Sequence, residues 1–167
     1  MSKADLCEVV MPVKRIVILS LIMALFPGCT SLIRPDAVVP LAVNTEDARA
    51  KNFLPISDKS VVYIFRDGSS AYYNKIVTYV DDRYVADIVR SSYARIILEP
   101  GLHHVVSKAE RECSLEIEVK PGQIYFVVQK DKFGVMSPRC SMRIIPVEEG
   151  RKSVQGCRLV LVQDANP

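Results

Sequence analysis

Hydrophobic and polar residues alternate with a period of two from Ser60 almost to the end of the chain. In Ser114–Lys120, Leu115, Ile117 and Val119 are separated by Ser114, Glu116 and Glu118, the pattern of a strand with one dry and one wet face. Pro121-Gly122 follows at once and leads into the strand Gln123–Gln129, so the two strands are expected to form a hairpin. Val61–Arg66 is a run of β-branched and aromatic residues, Lys75–Val80 and Arg83–Ile88 flank an Asp81-Asp82 turn, and Tyr93–Leu98 runs into Pro100-Gly101. Ser141–Val147 and Arg158–Val162 add two more strands, with Glu148–Gly156 between them as a polar loop or short helical turn. About eight or nine short strands at this spacing predict an all-β fold, an antiparallel β-sandwich over residues 60–163. Each buried Leu, Ile or Val contributes roughly 1.5–3 kcal/mol, enough to hold the register against a one-residue slip.

Upstream of Ser60 the alternation stops. In residues 45–59, Thr45 offers an N-cap, Glu46 and Asp47 sit in a first turn, and Arg49 and Lys51 come later, which predicts a short helix over Glu46–Asn52. A helix of that length must lean on the domain to persist. Residues 29–44 contain Pro35 and Pro40 and no periodic pattern, and read as a tether. Further back, Lys14 and Arg15 precede an apolar run from Ile16 to Phe26 broken only by Ser20, and Gly28 and Cys29 close it. As a helix this run spans ~16 Å, about half of a ~30 Å hydrocarbon core, so residues 1–28 read as an export signal rather than a permanent membrane span. Met11-Pro-Val-Lys-Arg is an ordinary start for such a signal whereas Met1–Val10 is not, so Met11 is expected to be the initiator.

Leu25-Phe26-Pro27-Gly28-Cys29 resembles the bacterial lipobox, in which an apolar and a small residue lead into a cysteine that is lipidated and becomes N-terminal. That resemblance implies acylation of Cys29 and a bilayer as the first partner, with several acyl chains making the attachment stable. The alternatives are a secretory signal cut near Gly28 and an uncleaved anchor. Thr30 follows Cys29 where an aspartate would favour the inner membrane, which points to the outer membrane, facing the periplasm.

Charge narrows the function classes. The formal net charge is +3, and removing residues 1–28 lowers it to +2 with no run of Lys or Arg, so no basic stripe for nucleic acid is expected. The part from Cys29 onward has the size of one domain, large enough to fold without disulfide support.

Four stretches carry a family likeness: Val61-Val-Tyr-Ile-Phe-Arg-Asp-Gly, Tyr79-Val-Asp-Asp-Arg-Tyr-Val-Ala-Asp-Ile, Leu98-Glu-Pro-Gly-Leu-His-His-Val-Val and Val119-Lys-Pro-Gly-Gln-Ile-Tyr-Phe-Val. Together they resemble the small bacterial lipoproteins grouped as domain of unknown function 2846, and the middle part is similar to the PEGA-type β-sandwich repeat. The resemblance covers roughly Ser60 to Val162 and implies an exported sandwich with no catalytic residues to carry over. It also places His103 at the histidine of a proline-glycine-x-histidine motif.

Candidate chemistry is sparse. His103 and His104 are the only histidines, and neighbours on a strand point to opposite faces, so they cannot both bind one metal. His103 is expected to serve the Pro100-Gly101 turn. There is no His-Glu-x-x-His, Gly-x-Ser-x-Gly, phosphate-binding glycine loop or Cys-x-x-Cys, hence no cofactor is expected. A catalytic triad could assemble from distant positions, such as Ser107 or Ser114 with a histidine and an aspartate, but nothing in the sequence favours one, and Asp81, Asp82 and Asp87 are a calcium candidate better explained as turn residues. Cys113, Cys140 and Cys157 remain if Cys29 is acylated, and their pairing is open. A Cys113–Cys140 bond requires their strands to lie on facing sheets, because Cα atoms two strands apart in one sheet are ~10 Å apart. Tyr72 and Tyr73, in the loop Asp67–Asn74, are candidate partner contacts. These features predict a non-catalytic envelope lipoprotein that contacts another protein or the cell wall; the alternative is a small periplasmic hydrolase or metal-binding protein using His103 or His104.

Overall fold

The computed structural model describes residues 39–67, 75–109, 112–132 and 139–163. The chain divides into two units, Met1–Arg34 and Pro35–Pro167. The first lies outside the described residues, as do Cys29, Tyr72 and Tyr73. Among the described residues no helix is long and apolar enough to cross a membrane.

The second unit is a β-sandwich. Its elements in order are helix α1 (Asn44–Ala50), strands β1 (Ser60–Arg66), β2 (Ile76–Val80), β3 (Arg83–Ile88), β4 (Ser92–Leu98), β5 (Gly101–Lys108), β6 (Glu112–Val119), β7 (Ile124–Lys132) and β8 (Arg139–Ile145), helix α2 (Val147–Gln155) and the short β9 (Arg158–Leu159). One sheet has the order β8-β7-β1-β4-β9 and the other β3-β2-β5-β6. Most neighbours are antiparallel, but β1 runs parallel to β7 and β4 parallel to β9.

Chain order explains the parallel pairs. The chain changes sheets after β1, β3, β4 and β6, so only β2–β3, β5–β6 and β7–β8 are hairpins. This corrects the hairpin expected from Ser114 to Gln129: Pro121-Gly122 is a corner that carries the chain from one sheet to the other. Gly122, at φ +72°, donates its N–H to Ile56 O (3.1 Å) and Lys59 O (3.0 Å), and so fastens the corner to the lead-in of β1. Pro100-Gly101 is the corresponding corner between β4 and β5, with Gly101 at φ +146°. By contrast Asp81 and Asp82, at φ +49° and +62°, form the two-residue hairpin turn that the sequence suggests.

One further expectation needs correction. The first helix begins at Asn44 after Val43, and no side chain caps it, so Thr45 is not the N-cap. Of the two readings open for Glu148–Gly156, the helical one holds, as the nine-residue helix Val147–Gln155.

Burial follows from a third layer. Every residue of β1 is buried, since Val62 and Ile64 face the second sheet while Val61, Tyr63 and Phe65 face the two helices. That is why Val61–Phe65 reads as a continuous apolar run where the edge strand β6 alternates, with Ile117 and Val119 buried and Glu116 and Glu118 exposed. Under the helices Tyr63 stacks on Phe126 at 5.0 Å between ring centroids, and Phe53 meets both edge-on at 5.3 and 5.7 Å. Phe53 holds φ +50°, a conformation costly for a non-glycine residue, which burial of its ring offsets.

α2 crosses this aromatic cluster at Gly150, where a Cβ would overlap the ring and Cβ of Phe126. The Gly150→Ala protein is therefore expected to lose about 2–3 kcal/mol through overpacking, despite the better helix propensity of alanine. Urea unfolding checks this, and an unchanged midpoint would show that α2 can lift off Phe126 freely.

Candidate functional site

The sides of the sandwich are closed differently. At one, edge strands β6 and β8 lie on facing sheets, and Cys113 and Cys140 are bonded across them with Cα atoms 5.6 Å apart. At the other, the segment after β9 leaves the first sheet, and Gln163 donates its N–H to Val85 O of β3 at 2.9 Å. Cys157 is the free thiol among the described residues. It is buried beneath the helices, and burial pushes its pKa up to about 11, so it stays a neutral packing residue.

The core turns polar at the end where β1, β5 and β7 finish. Gln129, 1% exposed, donates to Thr78 Oγ1 (3.0 Å) and Ser107 Oγ (2.6 Å) across the sheets. Arg66 is fully buried on the same strand face as Ile64 and reaches Ile88 O at 3.4 Å. Ser107 is thus held inside the core, hydrogen-bonded to Gln129 and Met142 Sδ. It also lies four residues along β5 from His103, ~13 Å at strand rise, too far for a nucleophile and its base. Ser114 is exposed on the outer side of β6, opposite Val106.

His103 sits at the opposite end of the sandwich, where it ties two turns together. Its Nδ1 is 2.6 Å from Asp81 Oδ2 and its Nε2 is 2.7 Å from Glu99 O. Asp81 Oδ1 also accepts the N–H of His104 at 2.9 Å. A carboxylate and a carbonyl both accept, so the imidazolium, with two N–H groups, satisfies the site best. Burial opposes that charge on His103, but the Asp81 and Glu99 bonds and the Asp81 charge raise its pKa above the ordinary 6.5. Burial likewise pushes Asp81 up, and the His104 N–H and His103 bonds more than reverse it, leaving its pKa below 3.8.

A pH dependence follows with a defined sign. The His103 contribution is fully present below pH 6.5 and is lost as pH rises through its raised folded value. The Asp81 contribution is present above 3.8 and is lost as pH falls through its depressed folded value. His103→Ala should flatten the alkaline side of a stability–pH curve, and a wild-type His103 titrating below 6.5 by NMR would contradict the clamp.

The other predicted acids do not converge. Asp87 pairs with Lys75 at 2.7 Å rather than joining Asp81, and no group of three metal-ligating side chains occurs among the described residues.

A cleft of about 520 Å³ lies between α1 and the C-terminal segment. Ala42, Ala50 and Val160 form its apolar floor, while Arg49, Arg95, Glu46, Leu54 and Leu161 supply walls and rim. The cleft owes its shape to the way α1 is pinned. Asp47 Oδ1 accepts the N–H of Leu159 (2.8 Å) and the hydroxyl of Tyr93 (3.0 Å), and Oδ2 accepts Lys51 Nζ (2.8 Å). Lys51 also donates to Cys157 O at 2.7 Å, and the Tyr63 hydroxyl donates to Ala50 O at 2.6 Å. Burial raises the Asp47 pKa, but the bonds from Lys51, Leu159 and Tyr93 outweigh it, so the carboxyl stays below its ordinary range. Burial and the Asp47 charge push the Tyr93 hydroxyl far up, keeping it a donor.

No protein-family model matches the chain, and none supports the resemblance to domain of unknown function 2846 or to the PEGA-type repeat. An uncharacterized protein of Haemophilus influenzae is 30% identical over 129 residues, 76% of this chain and 77% of that protein. The chain belongs to that protein's family.

For this member of the family, the cleft is the feature that sequence reading missed. Glu46 and Asp47 look alike as acids of a first turn, yet Glu46 is exposed at the cleft and Asp47 is buried beneath α1. The one available signal was the spacing of Asp47 and Lys51, four apart, on a helix too short to stand alone.

Proposed function

We propose that this chain is an exported, lipid-anchored module of the bacterial envelope that binds a partner and carries out no reaction. The observation that carries the reading is the pair Lys14-Arg15 ahead of an apolar run that closes on Gly28-Cys29. The side-chain chemistry of the β-sandwich agrees with it. His103 has both ring nitrogens engaged in a turn clamp, Ser107 is bonded inside the core, Cys113 and Cys140 are joined, and Cys157 is buried with a raised pKa. These five groups are occupied with holding the fold, while Ser114 and His104 are exposed. The likeness to the lipoproteins of domain of unknown function 2846 and the outer-membrane address belong to this same reading, with another envelope protein or the cell wall as the partner.

Growth of expressing cells with radiolabelled palmitate is expected to label the wild-type chain and not a Cys29→Ser variant. Label on neither would overturn the anchor. Substituting both histidines should leave partner capture from crosslinked envelopes intact while lowering stability, whereas a catalytic or metal-binding role predicts loss of function in a protein that remains folded.

A further inference from the structure

The lining of the cleft joins two kinds of side chain that a soluble surface rarely keeps side by side. Leu54 and Leu161 are 66% and 51% exposed, and they share the cleft with the guanidinium groups of Arg49 and Arg95 against the single acid Glu46. Arg158, also exposed, adds a third cation where it donates to Asn44 at the start of α1. The residues leading into α1 extend the apolar character, with Leu41 and Val43 43% and 62% exposed. Of the eight large hydrophobic residues exposed among the described residues, these four belong to the cleft or to the segment along it.

That segment is also the first described stretch of the unit. Leu41 bridges Val160, and Leu161 donates its N–H to Pro40 O at 2.8 Å, which fixes residues 39–42 against the C-terminal edge. Nine residues separate Cys29 from Val39, a reach of at most ~36 Å when fully extended. A domain tethered so closely to a bilayer meets it again and again, and the surface around that first stretch meets it most often.

We propose that this face docks on an anionic phospholipid surface, with Arg49 and Arg95 on headgroup phosphates and Leu54 and Leu161 at the level of the ester groups. The inference rests on the lipid anchor proposed above. Arginine suits the role because its planar fork pairs with phosphate while its stem lies against apolar surface. Interfacial apolar side chains with flanking cations are the usual means by which a surface lies on anionic lipid. On the outer face of the second sheet Leu102 pairs with Glu118, next to Glu116 along β6, while Lys108 and Lys75 are matched by Glu112 and Asp87, so among the described residues of its strands this face offers no unmatched cations and is left pointing away.

The chain contains no tryptophan, so one can be introduced as a reporter. The acylated protein beginning at Cys29, carrying Leu54→Trp, is reconstituted into vesicles containing phosphatidylglycerol brominated in its acyl chains, and Leu102→Trp serves as the reference. Strong quenching is expected for the Leu54→Trp protein and little for the Leu102→Trp protein. Adding Arg49→Gln and Arg95→Gln should weaken surface contact roughly 30-fold and bring the first signal down to the second. Flotation with the vesicles reads the anchor separately. A protein that floats but shows equal quenching at both positions, or the same quenching in brominated phosphatidylcholine, overturns the docking face and leaves the anchor standing. Failure to float overturns both.

Discussion

An Asp47→Ala protein is expected to be about 3–5 kcal/mol less stable than wild type, the cost of removing one partner from a buried charge network. Three donors lose their acceptor at once: the N–H of Leu159, the Tyr93 hydroxyl and Lys51 Nζ. Lys51 would keep only Cys157 O, leaving a largely buried ammonium without its counter-charge. Asp47→Asn is expected to cost less, because an amide oxygen can still accept from Leu159 while the charge on Lys51 goes unmatched. Urea unfolding of the two variants separates hydrogen bonding from charge. Because the folded pKa of Asp47 lies below 3.8, its contribution is present above that value and is lost as pH falls through the folded one. The acid limb of the stability curve should therefore be shallower in both variants. If Asp47→Ala unfolds at the wild-type midpoint, α1 is not held as the hydrogen bonds indicate.

Loss of the Cys113–Cys140 bond is the second large effect. The two residues are 27 apart in sequence, and closing a loop of that length in the unfolded chain is worth about 3.5 kcal/mol. A Cys113→Ala, Cys140→Ala double variant should unfold at lower denaturant by that amount, and wild type in the presence of a reductant should match it. Cys157 should resist alkylation in both until the protein unfolds, because the buried, protonated thiol is neither reachable nor nucleophilic. Equal midpoints for oxidised and reduced wild type would show that the bond closes an edge already held by other contacts.

Strand positions were legible because each edge strand wears its environment on alternate residues. Arg83–Ile88 has the predicted ends, and Leu115, Ile117 and Val119 all face inward in β6, Leu115 only partly buried. Partnership between strands was not legible in the same way. A Pro-Gly turn bends the chain equally well into a hairpin or round a corner, and the choice lies in what packs above it. At Pro121-Gly122 that is the backbone of Ile56 and Lys59, far away in sequence. The cysteine pairing was readable only as a condition, facing sheets, which the topology then met. Gly150, inside the stretch read as a polar loop or short helical turn, lets Phe126 approach the axis of α2, a contact that lies far away in sequence. Asp47 and the cleft beside it depend on contacts with Tyr93 and Leu159, which no local pattern announces.

The central position of β1 has a consequence for how this domain comes into being. Its two neighbours, β4 and β7, both follow it along the chain, and Val61 finds its parallel partner only at Ile124. Until that later stretch arrives, Val-Val-Tyr-Ile-Phe is a bare, sticky ribbon able to pair with any passing backbone. Assembly must wait for long-range closure, so maturation is expected to be slow, and a newly made chain is vulnerable to clumping for as long as β7 is missing.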